Sequence, residues 1–141
     1  MQQSDYAGDL SSTEAYALLQ AEADIVLIDV RTPAEWTFVG RPDMATTGRP
    51  CLFIPWQGWP GGALNPEFID NVREAGVPPE ATVLLLCRSG QRSRLAAVAL
   101  TGAGFARCYN IADGFEGPKD EAEHRGTRTG WKVAGLPWVQ D

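Results

Sequence analysis

Thr82-Val83-Leu84-Leu85-Leu86-Cys87-Arg88-Ser89-Gly90-Gln91-Arg92-Ser93-Arg94-Leu95-Ala96-Ala97-Val98-Ala99-Leu100 is the stretch on which the fold turns. Residues 82–86 run without polar alternation, the pattern of a strand buried on both faces. Cys87 ends that strand. Arg88, Ser89, Gly90, Gln91 and Arg92 read as a tight polar loop. From Ser93 onward Leu95, Val98, Ala99 and Leu100 fall at helical spacing. A strand–loop–helix unit of this kind sets the cysteine among backbone N–H groups and before a helix N-terminus, and both favour negative charge. Arg88 and Arg92 add formal positive charge. The expectation is a thiolate with an anion held beside it, against the plainer reading of an inert buried thiol.

Upstream, Ser11 and Glu14 form a capping-box signature that opens a first helix through Ala15, Leu18 and Leu19. Ile25 to Val30 is an apolar run ending at Asp29 and reads as a parallel strand. Pro33 suits the first turn of a short helix through Trp36. Residues 39–50 read as loop, Cys51 to Ile54 as a strand, and Trp56 to Gly62 as irregular. Asn65 and Pro66 suggest the start of a helix carrying Phe68, Ile69 and Val72 inward and ending at Gly76. Downstream, Arg107 to Ile111 reads as the last strand. Residues 113–128 carry no pattern, and a short helix is expected near Trp131 to Ala134.

Strands alternating with helices imply an α/β fold: a mainly parallel central sheet with helices on both faces. The division expected is one domain over residues 1–141, with a core at 5–111, an extended loop at 112–130 and a C-terminal helix and tail at 131–141. Ligand sites in such sheets lie beyond the carboxyl ends of the strands. That rule gathers the segments after Asp29, after Ile54, at Cys87 and after Ile111 onto one edge.

Composition narrows the class. The chain has 141 residues, 44% of them hydrophobic and 21% charged, within the range of ordinary globular domains. A formal net charge of −6 argues against nucleic acid as a partner. No apolar run approaches a membrane span, so no membrane partner is expected. Met1-Gln2-Gln3-Ser4-Asp5 lacks the start of a signal peptide. The odd set Cys51, Cys87 and Cys108 suggests no disulfide framework, which fits a reducing, cytoplasmic setting. No His/Cys spacing supplies metal ligands, and His124, the single histidine, reads as solvated. No cofactor is expected. Cys51 and Cys108 read as packed thiols.

Cys87-Arg88-Ser89-Gly90-Gln91-Arg92 resembles the active-site loop of the rhodanese (sulfurtransferase) family at every fixed position. Ile28-Asp29-Val30-Arg31-Thr32-Pro33-Ala34-Glu35-Trp36 and Gly130-Trp131-Lys132-Val133-Ala134-Gly135-Leu136-Pro137 resemble two further signatures, in the family's order. The resemblance implies a rhodanese-like fold and a single-domain, thiosulfate sulfurtransferase-type enzyme. Cys87 would take a sulfane sulfur from a donor such as thiosulfate, carry it as a persulfide, and yield it to a thiol, a protein acceptor or cyanide. Arg88 and Arg92 would bind the donor's anionic part, and the amides of Arg88, Ser89, Gly90, Gln91, Arg92 and Ser93 would hold the persulfide. Asp29 and Arg31 would support the loop from behind.

Two other readings compete. A non-catalytic rhodanese-like binding module would keep the fold without the chemistry. A cysteine phosphatase or arsenate reductase needs an arginine six positions after the cysteine, and residue 93 is serine. The departures from the family pattern lie at 37–50 and 112–130. They suggest a specificity wall around Cys87, with Trp56, Trp59, Phe115 and Arg125 as its candidates.

Overall fold

The computed structural model describes residues 5–22, 24–45, 47–48, 50–58 and 62–140. In chain order they form β1 (Gly8–Leu10), α1 (Ser12–Ala21), β2 (Ile25–Asp29), α2 (Pro33–Phe38), β3 (Arg41–Pro42), β4 (Cys51–Phe53), α3 (Phe68–Glu74), β5 (Thr82–Leu86), α4 (Gln91–Gly102), β6 (Arg107–Ile111) and β7 (Trp138–Val139). Five strands make one sheet in the order β1-β6-β5-β2-β4, and every pairing in it is parallel. The apolar run of β5 lies at its centre with all five residues buried.

Side chains alternate across that strand. Val83 and Leu85 face a layer built from Phe68 and Val72 of α3 and Ala96, Ala97 and Leu100 of α4. Leu84 and Leu86 face the opposite layer, with Ala15 and Leu19 of α1, Phe115 and Trp131. Helices therefore cover both faces, as a fully apolar parallel strand requires. Each fully buried leucine contributes roughly 1.5–3 kcal/mol of transfer free energy.

Local signals explain most boundaries. Ser11 and Glu14 complete a capping box at α1. A second one, Thr32 with Glu35, opens α2 with Pro33 in its first turn. Gly76, at φ +88°, follows the end of α3.

Several expectations need correction. α4 begins at Gln91, so Gln91 and Arg92 belong to its first turn rather than to the loop. α3 begins at Phe68. Asn65 instead folds a preceding turn, accepting from Glu67 N at 3.0 Å and receiving Phe68 N on its carbonyl at 3.2 Å. Residues 131–135 form no helix. Overlapping turns close from Ala134 N to Gly130 O, Gly135 N to Lys132 O and Leu136 N to Trp131 O, a run too short to offset helix nucleation. The hydrophobic core also reaches past residue 111, since Phe115 and Trp131 are each 0% exposed. β1 and the antiparallel β3–β7 pair had no signal in the sequence reading. No helix among the described residues is long and apolar enough to cross a membrane.

Candidate active site

Because β2, β4, β5 and β6 are parallel, the segments that follow them emerge on one edge. There they border a cleft of about 580 Å³. Thr32, Ala34 and Glu35 line it after β2, with Phe38 and Val39 at the end of α2. Gln57, Gly58 and Gly62 come from the segment after β4, Arg88 and Arg92 from the Cys87 loop, and Glu116 from the turn after β6. Cys87 lies beneath these groups, 1% exposed.

The loop owes its shape to its neighbours. Gly90 adopts φ +101°, and a Cβ there would strike the Ala112 carbonyl oxygen, so no other residue fits without strain. The turn after β6 braces the loop main chain to main chain. Phe115 N donates to Cys87 O at 2.8 Å, and Glu116 N and Gly117 N both donate to Arg88 O, at 3.0 and 3.1 Å. With those two carbonyls held outward, planar trans peptides turn the N–H groups of Arg88 and Ser89 to the opposite side. Gly90 N donates to Cys87 Sγ at 3.1 Å. α4 starts next, with no side-chain cap at Gly90, so its first N–H groups remain available at the sulfur's end of the helix. The brace is itself anchored: Ser12 N and Oγ donate to Asp113 at 2.8 and 2.7 Å, and Trp131 N donates to Gly114 O at 2.9 Å.

Ser93 joins the sulfur from within α4. Its Oγ lies 3.1 Å from Cys87 Sγ and 2.5 Å from Asn110 Oδ1. Asn110 Nδ2 donates to Asp9 Oδ1 at 3.0 Å.

Arg92 does not stand as a free cation. It makes a two-pronged pair with Glu35 at 2.7 and 2.8 Å, each side chain 20% exposed. Burial alone would push the Glu35 carboxyl up, but hydrogen bonds and charge from Arg92 outweigh it and hold the group below its ordinary value. The same hydrogen bond raises Arg92. Arg88 is exposed and, among the described residues, has no carboxylate partner.

Asp29 and Arg31 form a buried pair, 2.7 Å apart and 0% exposed on both sides. Arg31 also donates to Gly40 O at 2.9 Å and lies over the Phe115 ring at 4.2 Å. Its route to the loop therefore runs through Phe115, whose N–H holds the Cys87 carbonyl.

Of the four residues expected to form a wall, three turn elsewhere. Trp56 packs edge-on against Phe68 at 5.2 Å in the core layer of α3, and its neighbours Gln57 and Gly58 line the cleft instead. Phe115 is fully buried beneath Arg31. Arg125 bends back on its own segment, donating to Gly117 O at 2.8 Å. Trp59 lies outside the described residues. Among the described residues, the 37–50 and 112–130 segments reach the cleft through Phe38, Val39 and Glu116. Glu35 and Asn110 were not singled out for the site by the sequence reading. Glu35 carried a signal in the Thr32-x-x-Glu35 capping pattern; Asn110 carried none beyond being a polar residue in an apolar strand.

The other two thiols lie apart. Burial pushes Cys108 up to about 11. Burial, with the Asp29 charge, also raises Cys51 well above its ordinary value. Among the described residues no cluster of His, Cys, Asp and Glu could hold a metal.

Comparison with known proteins bears on the whole chain. Residues 7–141 match the family model described as the STR4 middle domain. The crystal structure of Rv0390 from M. tuberculosis superposes with a TM-score of 0.89 at 43% identity, covering 96% of this chain and 99% of that one. The polysulfide-sulfur transferase homodimer of Wolinella succinogenes gives 0.65 at 28% identity, covering 97% of this chain and 80% of that one. A sulfurtransferase of Allochromatium vinosum is 31% identical over 82% of this chain and 79% of its own length. An uncharacterized protein of Rickettsia rickettsii is 39% identical over 92% and 95%. With its all-parallel sheet, its cysteine loop at the head of α4 and these relatives, the chain belongs to the rhodanese-like family.

Proposed function

We propose that the protein is a sulfurtransferase working through a persulfide on Cys87. One observation carries the reading: Gly90 N–H meets Sγ at 3.1 Å at an uncapped helix N-terminus, in a loop whose carbonyls are pinned away from the sulfur. Such a cradle stabilises negative charge on sulfur without a general base. In the first step the Cys87 thiolate attacks the outer sulfur of an anionic donor such as thiosulfate. A new S–S bond forms, the donor's S–S bond breaks, and sulfite leaves with the electron pair. In the second step an acceptor thiolate or cyanide attacks the outer sulfur, and Cys87 departs as thiolate. The cycle is a double displacement, with ping-pong kinetics as its signature.

The charges bear on the substrates. Arg92 is neutralised by Glu35, and Glu116 stands on the same rim, so among the described residues lining the cleft Arg88 is the cation left for a donor anion. The cleft offers more room than an inorganic anion needs and carries Ala34, Phe38 and Val39, which suits an organic or protein thiol as acceptor.

The test is intact-protein mass spectrometry after incubation with thiosulfate or with a low-molecular-weight persulfide. The wild type gains one sulfur atom that cyanide or thiol removes, and Cys87→Ser gains none. A folded wild type that takes up no sulfur from either donor would leave the binding-module reading. Turnover of an aryl phosphate would instead favour the phosphatase reading.

A further inference from the structure

Asn110 is 3% exposed, on a strand flanking β5, and both ends of its amide are committed. Nδ2 donates to Asp9 Oδ1 at 3.0 Å, and Oδ1 faces Ser93 Oγ at 2.5 Å. An ionised carboxylate only accepts, so the amide cannot be turned end for end without placing its carbonyl against Asp9. Asn110 therefore presents an acceptor to Ser93. Ser93 has one hydroxyl proton, and that proton is spent on Asn110. Toward Cys87 Sγ, 3.1 Å away, Ser93 offers a lone pair. Every donor then points one way: Cys87 S–H to Ser93, Ser93 O–H to Asn110, Asn110 N–H to Asp9. Tyr6 O–H meets Asp9 at 2.9 Å from outside.

We propose that Asn110 is a positioning residue for Cys87: it keeps the Ser93 hydroxyl turned away from the sulfur, holding the resting cysteine as a thiol until Ser93 swings round to serve the anion.

Donor count sets the balance at the sulfur. A thiolate only accepts. When the S–H proton leaves to solvent, the Ser93 lone pair faces an anion, and relief comes from rotating the hydroxyl onto sulfur. That rotation leaves Asn110 Oδ1 without a donor in a nearly water-free place, which is unfavourable. The Gly90 N–H and the end of α4 pull toward the anion, while the Asn110–Ser93 pair pulls toward the thiol. A sulfur so balanced is shielded from oxidation at rest, yet is one rotation from its reactive state. The charged groups around it are Arg88 in its own loop, Arg92 with Glu35 from α2, Asp29 with Arg31 at the end of β2, Glu116 on the brace, and Asp9 with Tyr6 at the outer end of the chain. All are common to wild type and to the variants below, so they cancel in the comparison.

The experiment follows carboxamidomethylation of Cys87 by iodoacetamide against pH, read by intact mass. It needs no sulfur donor, so its outcome is independent of the sulfurtransferase reading. Asn110→Leu keeps the branched shape while removing both polar atoms, and the exposed Asp9 it releases is free to meet water. The expected result is a midpoint lower by about one pH unit, an approximately tenfold gain in thiolate at a fixed pH below it. In a Ser93→Ala background the same substitution moves nothing, since no hydroxyl remains to be released. Asn110→Ala repeats the pair should the leucine variant not fold. A midpoint unchanged or raised by loss of Asn110, or one lowered equally with and without Ser93, overturns the proposal.

Discussion

Cys87 follows β5 and Cys108 lies inside the adjacent β6, opposite Val83, and the two are almost equally hidden, at 1% and 0% exposure. Their surroundings differ in one respect. Cys108 sits within β6, its backbone spent on the sheet ladder and its side chain among Val83, Leu85 and Leu100 in the apolar layer. Burial there pushes the thiol up to about 11. Cys87 sits one residue past the end of β5, where the ladder has finished and the Gly90 N–H donates to the sulfur. Burial alone silences a thiol; burial with donors aimed at it makes a site. The same residue type lies within an apolar layer in one place and meets a backbone donor in the other, according to whether the strand has ended.

Substitutions can break this comparison. The largest effect is expected for Cys87→Ser, which abolishes sulfur uptake, while Cys108→Ala loads within about twofold of wild type and loses ~1 kcal/mol of stability to a small cavity. Equal loss of uptake in both variants, measured by intact mass, would erase the distinction. Gly90→Ala comes next. Its φ of +101° and the collision with Ala112 cost about 1–3 kcal/mol in denaturant unfolding, and the displaced N–H lowers sulfur uptake at least tenfold. The Cys108 environment, remote from the loop, keeps its alkylation behaviour.

Two smaller effects sharpen it. At pH 8 a brief exposure to iodoacetamide is expected to label Cys87 ahead of Cys51 and Cys108, whose thiols burial raises; peptide mapping reads the order. Glu35→Gln is expected to cost about 1–2 kcal/mol near neutral pH, since the pair is only part-buried. The folded Glu35 carboxyl lies below its ordinary 4.5, so its contribution is complete above that value and is lost as pH falls through the folded one. The stability gap between wild type and variant therefore closes in acid, and a gap independent of pH from 6 to 3 would contradict the assignment.

The sequence reading reached the strand–loop–helix unit because an unbroken apolar run, a glycine turn and helical spacing are all local signals. It gathered the candidate segments onto one edge, where the structure has them, because parallel strands send their following segments there. It failed where orientation is decided by distant partners. Trp56 and Phe115 looked like wall residues, yet an aromatic residue in a glycine-rich loop carries no periodicity to say which way it faces. Phe68 and Arg31, far along the chain, turn them inward. β1 and the β3–β7 pair, three and two residues long, are too short to have a pattern. Gln91 and Arg92 were read as loop because their polar side chains hide a helical first turn that begins as soon as Gly90 allows it. Asn110 is invisible locally, since its meaning lies in Ser93 and Asp9.

The brace between the turn after β6 and the Cys87 loop joins carbonyl to N–H and leaves the side chains out. Register there matters alongside identity. Phe115 is fully buried, and Gly117, at φ +81°, has no room for a Cβ beside the Thr129 carbonyl; inserting or deleting a single residue between Ile111 and Gly117 would shift every partner by one and release the Cys87 carbonyl. A loop transplanted by itself into another α/β scaffold would likewise arrive without the template that shapes it. In this architecture the heritable unit of the site is a pair of segments, and an alignment gap in the second is a warning about the first.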